Sequence, residues 1–192
     1  MLKERLKNYQ IILASKSPRR QQFFKDLDID FVVKLQEVEE NYPDELKGKE
    51  ITDYLAALKA TAFKNLKEND ILITSDTIVW FENKALGKPK NALEAFTMLK
   101  SLSGKTHEVI TSIAISSLNS TKIINDVTTV TFKELLDDEI HYYINNYKPF
   151  DKAGAYGIQE WIGFIGIEKI KGSYFNVVGL PTHKLYKALL KF

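Results

Sequence analysis

The chain has 192 residues, with 27 Lys+Arg against 25 Asp+Glu, 44% hydrophobic residues and no cysteine. That length supports one folded domain burying roughly 70% of the surface its unfolded chain exposes, and the missing thiols exclude disulfides, a cysteine nucleophile and a thiolate zinc site. Lysines scattered among acids give no concentrated basic face for nucleic acid. Apolar runs such as Ile11–Ala14 and Ile78–Phe81 fall far short of the roughly 18–20 residues of a membrane span and of a signal-peptide core, so the expected setting is cytoplasmic.

No internal repeat, low-complexity tract or Gly/Ser/Pro-rich linker divides the chain, so residues 1–192 are read as a single domain. In chain order, Tyr9–Ala14 reads as a short buried strand, and Ser17-Pro18 as the N-cap and first position of a helix reaching about Leu27. Phe31–Leu35 is a second strand, followed by a polar loop, Gln36–Lys49. In Ile51–Leu66 the apolar positions Ile51, Leu55, Leu58, Ala62 and Leu66 recur at three- and four-residue steps, one buried helical face. Ile71–Thr74 and Ile78–Phe81 are strand-like runs around the polar tripeptide Ser75-Asp76-Thr77, and Glu82-Asn83 reads as a hairpin turn. Asn91 with Glu94 begins a helix through Leu102, closed by Gly104. Glu108–Leu118 and Lys122–Phe132 flank Asn119-Ser120 as an antiparallel hairpin. Asp137–Tyr147 is a helix ending before Pro149, Phe164–Ile170 and Tyr174–Val178 are strand candidates, and Thr182–Phe192 is a capped terminal helix. The sum is α/β with a mixed sheet.

Two arginines, Arg19 and Arg20, sit in the first turn of the helix begun by Ser17. Cations there oppose the helix dipole unless an anion joins them, and a phosphate could take both the free N–H groups and the guanidinium forks. A solvated arginine pair is the alternative. On either reading, replacing both by Ala is expected to leave stability unchanged or slightly raised. Lys59 lies on the edge of an apolar helical stripe, facing a cleft or snorkelling to water. Lys88 stands between Gly87 and Pro89 in a shaped loop.

Asp76 is a carboxylate between two hydrophobic strand-like runs, where an unpaired charge is costly. It must meet a cation, a metal or several donors, or else the strand ends there at a solvent-filled cleft; the cleft is the favoured reading. Glu37, Glu39 and Glu40 either solvate their loop or, with Asp76 and a triphosphate, complete an oxygen-rich Mg²⁺ site. Glycine-rich Lys152–Gln159 and Gly172–Pro181 permit close backbone approach to a ligand, with Gln159 able to meet a base edge and Tyr156 and Tyr174 readable as core aromatics. Ser103-Gly104-Lys105-Thr106 ends like a P-loop but lacks the upstream glycine and leaves a helix for a strand. His107, His141 and His183 are too isolated for a metal cluster.

The ordered set Leu13-Ala14-Ser15, Ser17-Pro18-Arg19-Arg20, Ser75-Asp76-Thr77, Leu86-Gly87-Lys88-Pro89, Ser103–His107, Asp151–Gln159 and Gly172–Pro181 resembles the Maf family of nucleoside triphosphate pyrophosphatases over nearly the whole chain. The resemblance implies an α/β fold with a mixed twisted sheet flanked by helices, in an elongated two-lobed architecture with a central cleft, and hydrolysis of the α–β phosphoanhydride with a divalent cation, Mg²⁺ or Mn²⁺. It implies Asp76 as proton acceptor or metal ligand, Glu40 as metal or water ligand, and Ser15, Arg19, Arg20, Lys59 and Lys88 as substrate contacts. Arg19, Thr77 and Gln159 are the positions it marks as selecting the base, in the pattern of the branch acting on dTTP and UTP. The partner expected is a nucleoside triphosphate, with no nucleic acid and no membrane, and a homodimer is open. A 7-methyl-GTP pyrophosphatase and a non-catalytic nucleotide-binding regulator of cell division are the alternatives. Asn91 and Ser112 depart from the family pattern, leaving helix capping and strand-end geometry open.

Overall fold

The computed structural model describes residues 1–192. The chain opens with a five-residue helix α1 (Leu2–Leu6), whose Leu2 and Leu6 are buried and which the sequence reading did not anticipate. Strand β1 (Gln10–Leu13) follows, its three apolar residues buried in succession. Covering on both sides is what a strand between two parallel neighbours requires. Those neighbours are β2 (Phe31–Val33), with Ile11 opposite Phe31, and β3 (Asp70–Phe81), with Ile11 opposite Ile71.

Between them, α2 (Pro18–Asp26) starts as expected on a Ser17 cap with Pro18 at the first position. Helix α3 runs from Lys49 to Thr61, stopping short of the Leu66 end expected from periodicity. Phe63 and Leu66 instead pack from the following loop onto Ile12, Ala60 and Leu72; their apolar spacing reflects burial rather than helix.

Strand β3 also corrects an expectation. It is one continuous strand through Ser75-Asp76-Thr77, not two strands broken at a cleft, because a cation meets the Asp76 charge where it lies. Glu82 and Asn83 turn with positive φ (47° and 60°), the primed hairpin geometry, and hand the chain to β4 (Lys84–Leu86), antiparallel to β3. Helix α4 (Ala92–Leu102) is capped by Asn91, which accepts from the Glu94 N–H, so that departure from the family pattern is a working cap. Strands β5 (Thr106–Ser116) and β6 (Thr121–Phe132) are neighbours joined across Ser117–Ser120, a connection short enough only for an antiparallel pair.

Helix α5 (Asp137–Tyr147) has the expected bounds. A 3-10 turn (Ala153–Ala155) and helix α6 (Trp161–Gly166) then lead to β7 (Ile167–Lys171), antiparallel to β6. The strand expected from Phe164 thus begins only at Ile167. Gly163 explains the turn of helix before it: a Cβ there would lie 1.8 Å from the Ile158 carbonyl oxygen, so the chain folds back on itself only through glycine. Tyr174–Val178, also expected as a strand, is helix α7. Asn176 overrides its β-branched neighbours: its amide donates to the Val109 carbonyl and to Thr128, while its N–H reaches Ser173 Oγ. The last helix, α8 (Thr182–Leu189), has no side-chain cap and ends before Phe192.

The seven strands form one mixed sheet in the order β2-β1-β3-β5-β6-β7, with β4 beside β3. The chain divides into two compact units. The first comprises Met1–Asp76, Thr111–Asp126 and Gly179–Phe192, and the second Thr77–Ile110 and Val127–Val178. Each has a core of its own. Unit one buries Leu6, Ile11, Leu13, Phe24, Ile71, Ile113 and Leu185 among others; unit two buries Val79, Leu99, Val130, Phe132, Tyr143 and Ile162. No helix is long and apolar enough to cross a membrane.

Candidate active site

In unit one the turn between β1 and α2 is knotted by short-range bonds. Ser15 is buried, and its Oγ accepts the Ser17 N–H at 3.2 Å, while Gln21 Nε2 donates to its carbonyl at 3.1 Å. Ser17 Oγ accepts the Arg20 N–H at 3.4 Å. The backbone that presents both arginines is therefore set before any ligand arrives.

Arg20 is neither a solvated side chain nor solely a candidate for phosphate. Its Nε donates to the Gly179 carbonyl at 2.9 Å and its Nη1 to the Ser75 carbonyl at 3.0 Å. It clamps the residue before Asp76 to the turn entering α8. Gly179 has φ +123°, a conformation that only glycine adopts without strain, and this aims its carbonyl at the guanidinium. Burial lowers the Arg20 pKa from its ordinary value; nearby Asp76 and Glu40 oppose that, and Arg19 adds to it.

Lys59, in the last turn of α3, resolves the problem posed by Asp76. Its Nζ lies 2.7 Å from Asp76 Oδ1 and 3.1 Å from Glu40 Oε1, with the lysine side chain 19% exposed and that of Asp76 10%. The cation expected at the edge of an apolar stripe thus points inward and gathers two carboxylates, one buried in β3 and one exposed in the loop before α3. Glu37 is exposed and Glu39 pairs with Asn41; neither joins this cluster. No group of three or more His, Cys, Asp or Glu side chains forms a protein-only metal cage. A carboxylate pair around one cation suits instead a hard ion that completes its shell with phosphate oxygens and water.

In unit two, Thr77 follows Asp76 along β3 and is partly buried, and Lys88 is exposed in the loop after β4. That loop is tied to the 3-10 turn by the Gly154 N–H donating to the Gly87 carbonyl at 3.0 Å. Gln159 is partly buried just ahead of α6, with its Oε1 buried and accepting no hydrogen bond. Behind it lies a network that sequence reasoning missed. Lys152, 8% exposed, meets Glu160 Oε1 at 3.0 Å and Asp151 Oδ1 at 2.7 Å. Tyr143 OH donates to Glu160 Oε2 and accepts the Gly157 N–H at 3.0 Å. Burial, reinforced by the Glu160 carboxylate, raises the Tyr143 pKa. Glycine spacing could point to the Lys152–Gln159 segment, but nothing local in sequence marks Tyr143 as its partner.

A second missed network lies in unit one. Ser112 Oγ donates to Asp53 Oδ1 at 2.6 Å and contacts Thr52 Oγ1 at 2.6 Å, and Asn125 Nδ2 donates to the same carboxylate. Ser112, the other departure from the family pattern, is the hydroxyl that links α3 to β5 within this unit. The histidines are structural or peripheral, as expected: His107 is buried against Tyr156, His141 stacks on Phe96, and His183 lies 4.0 Å from Asp126.

The family profile described as "Maf-like protein" matches residues 10–192. The chain is 65% identical to a protein of Flavobacterium johnsoniae named dTTP/UTP pyrophosphatase, with 98% of each chain covered. It is 52% identical to one of the same name from Bacteroides fragilis, with 96% of each covered. Among solved structures it is similar to Ham1 proteins of Coxiella burnetii, at TM-score 0.53, 16% identity and coverage of 96% of this chain and 100% of that one, and of Staphylococcus aureus, at 0.54, 18%, and 95% and 98%. Identities that low speak to the fold alone. The profile match and the full-length relatives together place the chain in the Maf family.

Proposed function

We propose that the chain is a nucleoside triphosphate pyrophosphatase acting on dTTP and UTP, releasing the nucleoside monophosphate and pyrophosphate. The observation that carries this is the Lys59 ammonium holding Asp76, midway along β3, together with Glu40 of the loop before α3, in a chain whose full-length relatives bear that activity in their names. In the reading supported here, Asp76 takes a proton from the water that attacks the α-phosphorus, the α–β anhydride bond breaks, and pyrophosphate leaves. Lys59 engages Oδ1 alone, so Oδ2 is the oxygen available as base. Asp76 and Glu40 would hold a divalent cation, which when bound supplies charge compensation to the phosphate oxygens. Arg19, Arg20, Lys59 and Lys88 are proposed phosphate contacts, with Ser15 shaping the turn that presents the arginines. Arg19, Thr77 and Gln159 are proposed to select the base.

The test is pyrophosphate release by the purified protein from dTTP, UTP, CTP, GTP and 7-methyl-GTP with Mg²⁺ or Mn²⁺. Preference for dTTP and UTP is expected, and Asp76→Asn should lower turnover by about 10²–10⁴-fold. No pyrophosphate from any of them, or a preference for 7-methyl-GTP, overturns the reading.

A further inference from the structure

Helix α3 carries Lys59 and strand β3 carries Asp76, so the 2.7 Å contact between them depends on where the helix lies along the strand. Side chains alternate across a strand, and Leu72, Thr74 and Asp76 therefore share the face of β3 that α3 covers. Two contacts fix the direction of that covering. Thr74 Oγ1 donates to the Ala56 carbonyl at 2.6 Å, while Ala60, one turn later in the helix, packs with Ile12 and Leu72. The helix thus descends as the strand rises. Lys59 leaves α3 beside Ala60, and its stem runs back toward the helix N-terminus, as helical side chains do, in the direction of Asp76.

The Thr74 hydroxyl is the tertiary hydrogen bond nearest to Lys59 along α3. Thr74 and Ala56 are both fully buried, and Ile12, Leu72, Ala60, Phe63 and Leu66 beside them are apolar. A valine of nearly the same shape would fill the place without taking a hydroxyl out of water. Nor does the Ala56 carbonyl need the bond, since inside α3 it accepts the N–H four residues on. The net stability gained from one such bond is modest; what it adds is direction. Apolar contacts are non-directional and tolerate a sliding helix, whereas a 2.6 Å bond to one carbonyl selects one register. A slide by one residue's rise, about 1.5 Å, opens an ion pair held at 2.7 Å, and a lysine that followed Asp76 would leave Glu40, which lies 3.1 Å away. Thr52 and Asp53 also tie α3, to Ser112 and Asn125, but from its first turn, well before Lys59.

We propose that Thr74 is a positioning residue: its hydroxyl, bonded to the Ala56 carbonyl, sets the register of α3 on β3 that delivers the Lys59 ammonium to Asp76 and Glu40. Thr74 acts through Lys59 alone. This rests on the reading of Lys59 and Asp76 as members of the reacting site.

The experiment places Thr74→Val and Thr74→Ser in the unaltered chain and in Lys59→Met, and reads kcat/KM for dTTP. It also reads the Lys59–Asp76 coupling by a double-mutant cycle in unfolding, with Thr74 and with Val at that position. Expected is a fall of about tenfold or more in kcat/KM for Thr74→Val, as small misplacements of reacting groups produce, with Thr74→Ser restoring it to within a few-fold. In the Lys59→Met background Thr74→Val should change kcat/KM by less than about twofold, and the Lys59–Asp76 coupling should weaken when Thr74 becomes Val. A merely structural threonine would cost activity equally with and without Lys59, and that result overturns the proposal. So does a serine that restores nothing, or a coupling that Thr74→Val leaves unchanged. Should Thr74→Val not fold, Thr74→Ala, which adds no atom to the site, takes its place in every comparison. If the unaltered chain releases no pyrophosphate from dTTP, the functional reading fails on that measurement, while the coupling in unfolding still decides whether Thr74 positions Lys59.

Discussion

Arg20→Ala is the sharpest single test of how the site is built, because helix-terminus electrostatics and tertiary contacts predict opposite signs. By the dipole alone, removing a cation from the first turn of α2 should stabilise by a few tenths of a kcal/mol. The structure adds two charge-assisted bonds, from Nε to the Gly179 carbonyl and from Nη1 to the Ser75 carbonyl. Ser75 is only 2% exposed, so water does not readily replace the donor its carbonyl loses. Hydrogen bonds to charged groups contribute about 1.5–3 kcal/mol each. Relief of the burial that lowers the Arg20 pKa offsets part of that sum. A net loss of about 3 kcal/mol remains, and chains of this size lose roughly 2–4 °C of Tm per kcal/mol, giving a drop of about 6–12 °C. Thermal and urea unfolding of the free protein measure it, with Arg19→Ala, which leaves both carbonyl bonds in place, as the comparison. Arg20→Lys should recover less than half, since one ammonium cannot span both carbonyls as the fork does. An Arg20→Ala protein melting within a degree of the unaltered chain would refute the clamp and return Arg20 to the role of a ligand contact alone.

Lys59 and Asp76 should behave as a coupled pair. In a double-mutant cycle of Lys59→Met with Asp76→Asn, unfolding should show a coupling of about 2 kcal/mol, reduced from the fully buried range because both side chains keep some exposure; a coupling under about 0.5 kcal/mol contradicts the inward lysine. His107, whose pKa burial lowers from 6.5 to about 4, is neutral in the folded protein where the unfolded chain already binds a proton. Its contribution is complete above pH 6.5 and is lost as pH falls toward 4, about 3 kcal/mol in all. His107→Gln should flatten that part of the stability profile, and an equally steep slope in the variant would assign the loss to other groups. Gly163→Ala should cost several kcal/mol or prevent folding, given a Cβ 1.8 Å from the Ile158 oxygen; a soluble variant with an unaltered melting point would exclude that close approach.

Much of the scaffold is legible in sequence because its signals are local. Ser17-Pro18, Asn91 with Glu94, Glu82-Asn83 and the α5 bounds each rest on capping or turn chemistry within a few residues, and the structure reproduces them. Arg19, Arg20 and Asp76 stand out in sequence for a similar reason, a charge in the wrong electrostatic place being visible without coordinates, whereas Lys88 is marked by its Gly-Lys-Pro loop and Ser15 only by the family resemblance. What the tertiary structure decided is which charge answers which. Asp76 stays inside an unbroken strand because Lys59, seventeen residues earlier, reaches it, and Tyr174–Val178 becomes helix because Asn176 finds a carbonyl on β5, sixty-seven residues away. Glu160 has no local mark of the contacts it makes. Its partners are Tyr143 on α5 and Lys152 across a turn, and such pairings depend on chain closure in space, which residue spacing and propensity do not encode.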